Sequence, residues 1–179
     1  MKRKPKDLAT DITLPSIDGT IFNLDETKGK RYLLSFFRFA SCPFCNLRLN
    51  ELVTRFGELD KGFTIVAIFD STIGNLQRHA KKHHAPFYIL ADETNKYYKE
   101  YGVERSLIGM LKGMFGRMPR LLKGMFIKGY IPLISKGNWL TMPVDILVDE
   151  NGVIQTAKYG KDEGDHLPFD QIKSFSSNK

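Results

Sequence analysis

Apolar residues recur along this chain with the period of a strand in some segments and of a helix in others, and turn residues separate these segments. Continuous or alternating apolar stretches predict strands at 32–39, 63–69, 87–90, 143–149 and 153–159. Apolar residues at helical spacing predict helices at 46–59, 73–84, 92–101 and 166–176. Residues 10–24 alternate around Asp18-Gly19, which predicts a β-hairpin ahead of the first long strand.

The order of these elements predicts the fold class. A hairpin is followed by three strand–helix units, a segment of different character, a second hairpin and a last helix. Strands that alternate with helices indicate a layered α/β fold, and the closing hairpin makes the sheet mixed. We find neither an internal repeat nor a clear linker, and 179 residues suit one hydrophobic core. The sequence therefore predicts a single domain over residues 1–179.

Residues 105–138 form the segment of different character, an insertion rich in glycine, methionine and basic residues. Met110, Met114 and Met118 recur every four residues, which predicts that they line one helical face. The glycines and Pro119 favour short, jointed helices over one long helix. We expect the apolar side of this insertion to join the core or a dimer interface. A lid or partner groove at the cysteines and a contact with a membrane surface are the alternatives.

Composition and charge narrow the class of protein. Apolar residues make up 42% and charged residues 26%, as in a soluble globular protein. The basic N-terminus is followed by no apolar stretch, so no secretory signal is predicted. The net charge of +7 is concentrated at 103–140, where seven basic residues accompany one acid, Glu104, and nucleic-acid binding is therefore not expected. With one possible cysteine pair, we expect a cytoplasmic protein rather than a disulfide-stapled secreted one.

Both cysteines lie in Cys42-Pro43-Phe44-Cys45, at the junction between a predicted strand and a predicted helix. Unpaired N–H groups and the positive end of the helix favour a thiolate at the first cysteine. Such placement lowers a cysteine pKa from ~8.5 to roughly 3.5–7.5. Cys45, one turn inside the helix, can close a disulfide on Cys42. The spacing therefore predicts a reversible dithiol/disulfide pair.

Two other interpretations of the cysteines are weighed against this one. The thiols could be inert, or they could bind zinc together with His79, His83 and His84. These histidines stand far from the cysteines on a polar helix, which favours a surface position near the helix C-terminus. We therefore predict neither a metal nor a cofactor.

The strand, Cys-x-x-Cys and helix, followed by β–α units and a Met142-Pro143 step before a hairpin, resemble the thioredoxin fold. The leading hairpin and Leu33-Leu34-Ser35-Phe36-Phe37-Arg38 are similar to the AhpC/TSA family, in particular to its peroxiredoxin-like group with a Cys-x-x-Cys motif. The resemblance covers residues 8–102 and 140–175. It implies a thioredoxin-like three-layer fold with a mixed central sheet, an N-terminal hairpin extension and a helical insertion at about 105–138.

The chain departs from the pattern that peroxiredoxins share, Pro-x-x-x-Thr-x-x-Cys with a distant arginine. With Cys45 as the peroxidatic residue, the motif's threonine falls on Cys42, its proline on Arg38 and the distant arginine near Pro143. A peroxide would thus lose the donors that normally stabilise developing charge. The buried acid of thioredoxins falls near Ser35 or Phe36, which leaves no carboxylate for proton transfer.

The same resemblance implies a substrate-binding surface. Pro143 is similar to the cis-proline that faces the cysteines in thioredoxins, and the Met142 backbone would pair with an extended substrate segment. Pro43 and Phe44, between the cysteines, complete the predicted substrate-binding residues.

These observations predict a thiol-disulfide oxidoreductase in which Cys42 attacks as a thiolate and Cys45 resolves the mixed disulfide. One alternative is a thiol peroxidase with Cys45 peroxidatic and Cys42 resolving. Another is a redox-responsive adaptor that acts through the basic, methionine-rich segment. The predicted partner is a protein disulfide or dithiol, or a peroxide, and the predicted state is a monomer or a homodimer. A membrane surface is the least favoured partner.

Overall fold

The computed structural model describes residues 1–127, 129 and 137–177. The strands are β1 (Thr13–Pro15), β2 (Ile21–Asn23), β3 (Tyr32–Phe37), β4 (Thr64–Phe69), β5 (Tyr88–Ala91), β6 (Val144–Val148) and β7 (Ile154–Tyr159). The helices are α1 (Pro43–Arg55), α2 (Ile73–Ala80), α3 (Lys96–Glu100), α4 (Leu107–Gly116), α5 (Met118–Leu122) and α6 (Phe169–Ser177), and a π-helical turn (Lys123–Ile127) follows α5. In the described part of the chain, no helix is long and apolar enough to cross a bilayer.

A five-stranded sheet with the order β5-β4-β3-β6-β7 forms the centre of the fold. β3 pairs in parallel with β4 and antiparallel with β6, and this register places Ser35 opposite Asp145. The prediction of a mixed sheet in an α/β fold is therefore confirmed. β1 and β2 form the predicted hairpin as a separate two-stranded sheet.

Apolar side chains on the two faces of the sheet form two core clusters, which give the fold its three layers. On one face, Leu49 and Leu52 of α1 pack in the same cluster as Ile172 of α6. On the other face, the hairpin residue Phe22 shares a cluster with Tyr97 of α3. Strands whose residues are buried on both faces form nearly continuous apolar runs, which is why the sequence pattern located β3, β4 and β6.

Helix ends differ from the predictions by a few residues for local reasons. α1 begins at Pro43, as its place in the first turn, where no N–H is needed, predicts, and it ends at Arg55, earlier than the apolar pattern to residue 59 suggested. α3 is shorter than the predicted 92–101 because the Asp92 carboxylate accepts hydrogen bonds from the N–H groups of Lys96 and Tyr97 and fixes the start of the helix there.

The insertion forms α4, α5 and the π-helical turn, so the prediction of short, jointed helices is confirmed for the part that the structure describes. Residues 128 and 130–136, with the basic Lys128 and Lys136, lie outside the described residues. The apolar side of the insertion was expected to join the core or a dimer interface; the buried residues of α4 are Gly109 and Gly113, so its apolar side chains do not join the core, and the dimer interface stays a prediction. Glycines allow the closest approach of the helix backbone, and the bulky side chains therefore lie on its outer face.

Candidate active site

The two cysteines lie where the central strand β3 passes into α1. Cys42 is the residue that precedes the first turn of α1, and Cys45 lies one turn inside the helix. The Asn46 side chain donates to the carbonyls of Ala40 (2.8 Å) and Cys42 (2.9 Å) and so fixes the loop. The ring of His83 lies 2.9 Å from the Asn46 side-chain oxygen and holds that amide in place. His83 therefore contacts the thiol loop through Asn46, and within the described residues no group of three histidine, cysteine or acidic side chains is placed to hold a metal.

The two thiols are free and have very different protonation behaviour. Burial raises the pKa of Cys42, but a hydrogen bond from Cys45, the charge of Arg38 and the N–H groups of Cys45 and Phe44 outweigh burial and bring the pKa to about 6. Burial and the neighbouring Cys42 thiolate raise the pKa of Cys45 well above its usual value. Near neutral pH the pair therefore holds one thiolate, on Cys42, and one thiol, on Cys45.

Arg38 is the cation of this site. Its Nη1 lies 3.4 Å from Cys42 Sγ and 3.1 Å from Glu163 Oε1, and its Nη2 donates to the carbonyl of Trp139. The backbone N–H of Arg38 points at Cys45 Sγ, at 3.4 Å. The sequence pattern marked Arg38 as the residue at the motif proline and as part of the AhpC/TSA resemblance, but not as a partner of the thiols. A charge inside the apolar run Leu33–Ala40 was the missed signal, because a buried charge requires a partner.

Glu163, in the loop after β7, is the anion that accompanies Arg38 and is itself buried. Burial raises the pKa of Glu163, Arg38 works against burial, and the Cys42 thiolate raises the pKa further, to about 7. Among the described residues Glu163 Oε2 has no hydrogen-bond partner. The expectation that no carboxylate lies near the thiols was therefore wrong. No sequence signal marks Glu163, because more than a hundred residues separate it from Arg38.

A second buried carboxylate belongs to Asp145 of β6. It lies opposite Ser35 of β3, near the position at which the thioredoxin pattern would place an acid. The Ser35 hydroxyl donates to Asp145 Oδ1 at 2.5 Å, and the Leu167 N–H and the His166 ring lie 2.7 and 3.1 Å from Asp145 Oδ2. Burial raises the pKa of Asp145, but His166, Arg48 and Ser35 together hold it well below its usual range. Asp145 is therefore an ionised structural group at neutral pH.

The four residues predicted to bind substrate lie near the thiol end of the sheet, but all are buried. Val144 pairs with Phe36 near the end of β3, so Met142 and Pro143 lie at the end of β6 that faces the Cys42 loop. Pro43, Phe44, Met142 and Pro143 are all buried. The Met142 N–H donates to the Glu104 carbonyl at 2.9 Å, so residues of the chain itself already use this edge.

The expectation of a cis-proline at position 143 was wrong, because the described residues contain no cis peptide bond. Backbone hydrogen bonds from Met142 to Glu104 and from Ser106 to Leu140, 2.9 and 2.8 Å long, hold the preceding segment in an extended path. The trans form is the ordinary state of an X-Pro bond, and this path requires no other.

Cys42 and Cys45 are each only 1% exposed. Arg38 joins the Cys42 sulfur to the Trp139 carbonyl and to Glu163. The segment that leads into β6 and the loop after β7 therefore lie over the thiols. A large partner must displace at least one of these segments to reach Cys42.

Such a site, a buried dithiol with one low-pKa cysteine at a strand–helix junction of an α/β layered fold, defines a thioredoxin-like redox protein. The AhpC/TSA family model matches residues 5–157, and the chain belongs to that family. The chain is 32% identical over 104 residues to a chloroplastic peroxiredoxin Q of Triticum aestivum, of which the match covers 48%, and 32% identical over 109 residues to peroxiredoxin Bcp of Escherichia coli, of which it covers 70%. These matches cover 58% and 59% of this chain, which spans about half the length of the wheat relative.

A solved structure described as a putative thiol:disulfide interchange protein DsbE from Chlorobium tepidum has the same fold. The TM-score is 0.60 at 18% identity, and the match covers 96% of this chain and 94% of that chain. The comparisons confirm the predicted family and the thioredoxin-like fold. Because peroxiredoxins and an interchange protein share the fold, the choice between their activities depends on the site.

Proposed function

We propose that the protein is a thiol-disulfide oxidoreductase in which Cys42 is the nucleophile and Cys45 is the resolving thiol. The observation that carries the proposal is the Arg38 guanidinium 3.4 Å from Cys42 Sγ, which stabilises the thiolate on that cysteine. A thiolate with a pKa of about 6 is present at neutral pH and is also a good leaving group.

The reaction takes place in two exchanges. The Cys42 thiolate attacks one sulfur of a partner disulfide, forms a mixed disulfide and releases the other partner sulfur as a thiolate, which takes up a proton. Cys45 then loses its proton, attacks the Cys42 sulfur and releases the second partner thiol. The partner disulfide is reduced to two thiols, and the Cys42–Cys45 pair is oxidised to a disulfide.

Glu163 can hold the proton that this sequence requires. Its pKa of about 7 depends in part on the Cys42 thiolate, whose charge disappears when the mixed disulfide forms. Loss of that charge lowers the pKa of Glu163, which then releases its proton as the partner thiolate leaves. The unpaired Oε2 of Glu163 is the atom that carries the proton in this proposal.

Partner binding requires that the cover over Cys42 opens. We propose that Pro43, Phe44, Met142 and Pro143 contact the partner after residues 104–106 or 137–142 move away from this edge. The partner is a protein disulfide or dithiol, and a cytoplasmic location is part of the same proposal because the chain has a single, catalytic-type cysteine pair.

Peroxide reduction is the second candidate, and its support is the identity with proteins named peroxiredoxins. The thiolate attacks one peroxide oxygen and becomes a sulfenic acid, and the leaving oxygen takes a proton to give an alcohol or water. The second thiol then forms the disulfide and releases water. The protonation of the pair favours Cys42 over Cys45 as the attacking residue, with Arg38 in contact with the attacked oxygen.

Rapid mixing of the reduced protein with a disulfide-linked peptide or with hydrogen peroxide tests the proposal. We expect Cys45→Ser to accumulate a mixed disulfide with the peptide at Cys42, identified by mass. The matched Cys42→Ser variant should accumulate none. Peroxide should consume the thiols no faster than it consumes glutathione. Fast peroxide consumption without peptide exchange would replace the proposed activity by the peroxidase, and trapping at Cys45 would reverse the two roles.

A further inference from the structure

Large apolar side chains are exposed along the inserted helices. In the part of the chain that the structure describes, seven of the eleven exposed large apolar residues lie between Leu107 and Ile127. Phe115 is 67% exposed, and Phe126 and Ile127 are 79% and 74% exposed. Single exposed apolar residues are ordinary, whereas a cluster of this kind marks a surface that meets another apolar phase or partner.

The sequence of this segment is also strongly basic. Residues 105–140 contain seven lysines and arginines and no aspartate or glutamate. Lys112 and Lys123 are exposed beside the apolar side chains, and Arg105 is exposed at the start of the segment. Ile108, Leu111, Lys112 and Phe115 have the spacing of one helical face. Exposed bulky apolar side chains accompanied by lysines are the residue types by which a helix binds at a lipid interface, where the lysine ends reach the headgroups.

This face cannot turn inward, because the glycine face of α4 already packs on the body of the protein. A Cβ at Gly109 would lie 2.7 Å from Met142 Sδ and 2.8 Å from the Lys161 carbonyl, and one at Gly113 would overlap the Glu163 carboxylate. The Arg117 side chain anchors the end of α4 through two hydrogen bonds to Asp162, 2.8 and 3.1 Å long. The apolar face is therefore held in an outward position.

A second copy of the chain is a poor occupant of this face. A symmetric dimer through the insertion would bring together two segments that each contain seven basic residues and one acid at 103–140. Like charges at an interface oppose association. A surface with negative charge and an apolar layer beneath it complements both properties.

We propose that the exposed side chains of the insertion, Ile108, Leu111, Lys112 and Phe115 on α4 and Lys123, Phe126 and Ile127 on the turn after α5, bind to the surface of an anionic membrane. The apolar side chains enter the headgroup region, and the lysines contact lipid phosphates. Because the opposite face of α4 contacts Glu163, the ion partner of Arg38, this orientation places the thiol site on the membrane side of the protein. The proposal is independent of the reaction that the thiols carry out.

Flotation of the full-length reduced protein with vesicles tests the proposal. We expect binding to vesicles of phosphatidylcholine and phosphatidylglycerol, little binding to phosphatidylcholine alone, and release as salt is raised. Phe115→Ser combined with Phe126→Ser should weaken binding at least about fivefold. The matched control, Ile21→Ser, removes an apolar side chain that is 65% exposed on the hairpin and should leave binding unchanged.

Charge variants complete the test. Lys112→Glu with Lys123→Glu should abolish binding to anionic vesicles, whereas Lys30→Glu with Lys61→Glu, which make the same charge change elsewhere on the surface, should retain most of it. Equal binding to both vesicle types, or no binding to anionic vesicles, would overturn the proposal. So would a dimer in sedimentation that Phe115→Ser and Phe126→Ser dissociate in the absence of lipid. All these side chains are exposed, so thermal unfolding should be the same for every variant.

Discussion

Two buried ionic clusters lie at the same sheet and differ in how completely their charges are satisfied. Asp145 accepts hydrogen bonds from Ser35 and the Leu167 N–H, and it lies beside His166 and Arg48. Glu163 has one ion pair, with Arg38, and its second oxygen has no hydrogen-bond partner among the described residues. Both are buried acids, but the pKa of Asp145 is held well below the usual range and that of Glu163 is raised to about 7.

The difference shows how environment divides the roles of two carboxylates. An acid with several donors stays ionised and holds elements together, and Asp145 joins β3, β6 and the loop before α6 in this way. An acid whose single cation also contacts a thiolate is poised to exchange its proton near neutral pH. The first cluster therefore holds elements of the fold together, and the second contains the acid to which we assign a proton in the proposed reaction.

The largest effect is expected where the structural cluster is broken. Asp145→Asn should destabilise the protein by about 3–5 kcal/mol, because the buried Arg48 and His166 lose their anion. The folded-state pKa of Asp145 is depressed, so its contribution is present above the usual value of 3.8 and is lost as pH falls further. Urea unfolding measures the change. Asp170→Asn, which removes an exposed partner of Arg55, should leave the unfolding midpoint nearly unchanged.

A stability loss in Asp145→Asn no larger than in Asp170→Asn would contradict the structural role. The Cys42 thiolate of Asp145→Asn should titrate as in the wild type, because Arg38, and not the cluster around Asp145, stabilises that thiolate.

The second effect concerns the cation of the active site. Arg38→Met should raise the pKa of Cys42 by one to two units, because an opposite charge at this distance lowers a pKa by about 1–3 units. At pH near 6 the thiolate fraction, and with it the rate of alkylation by iodoacetamide, should fall about five- to fiftyfold. The thiolate absorbance in the ultraviolet, followed against pH, measures the shift directly.

Arg48→Met is the matched control for Arg38→Met, because Arg48 is also a buried arginine but contacts Glu51, the Leu167 carbonyl and Asp145. It should destabilise the fold and leave the pKa of Cys42 at about 6. An equal pKa shift in both variants would mean that Arg38 acts through general loosening of the site.

The contact between α4 and Glu163 supplies the third effect. A side-chain methyl group in Gly113→Ala would collide with the Glu163 carboxylate, so either Glu163 or α4 must move. We expect a loss of about 1–3 kcal/mol in stability, as for other overpacked sites. Gly116→Ala is the control in the same helix, because a Cβ there meets no atom within 4 Å. Equal stabilities of the two variants would show that α4 does not rest on Glu163.

The framework of the fold could be predicted from the sequence because each element depends on local pattern. The apolar runs gave β3, β4 and β6, and Asp18-Gly19 gave the hairpin between β1 and β2. The strand–Cys-x-x-Cys–helix junction was also local, since Pro43 and the preceding strand mark it. That the whole chain forms one domain stays a prediction.

The ionic parts of the site could not be predicted because they are formed by distant residues. Arg38 and Glu163 meet only after the loop beyond β7 folds back over α1, and Ser35 meets Asp145 only through strand register. The resemblance also implied a cis-proline that the structure does not have, and the role of Met142 in partner binding stays a prediction. The peptide before Pro143 is trans, and the Met142 N–H is used by Glu104, because residues that precede α4 occupy that edge.

Removal of the Glu163 carboxylate should have the smallest effect on the protein, a small shift in the pKa of Cys42. It should also leave the clearest signature, the loss of one step from the titration. In Glu163→Gln the Cys42 thiolate becomes the only anion next to Arg38, so the pKa of Cys42 should fall below about 6, by less than one unit. The titration of the wild type should show a second step near pH 7 that the variant lacks. Because the folded-state pKa of Glu163 is raised, wild type should lose stability relative to Glu163→Gln as pH rises from 4.5 to about 7. Asp165→Asn, in the same loop but paired with Lys158, should retain the second step. If that step persists in Glu163→Gln, another group holds the proton and the difference between the two clusters does not determine their roles.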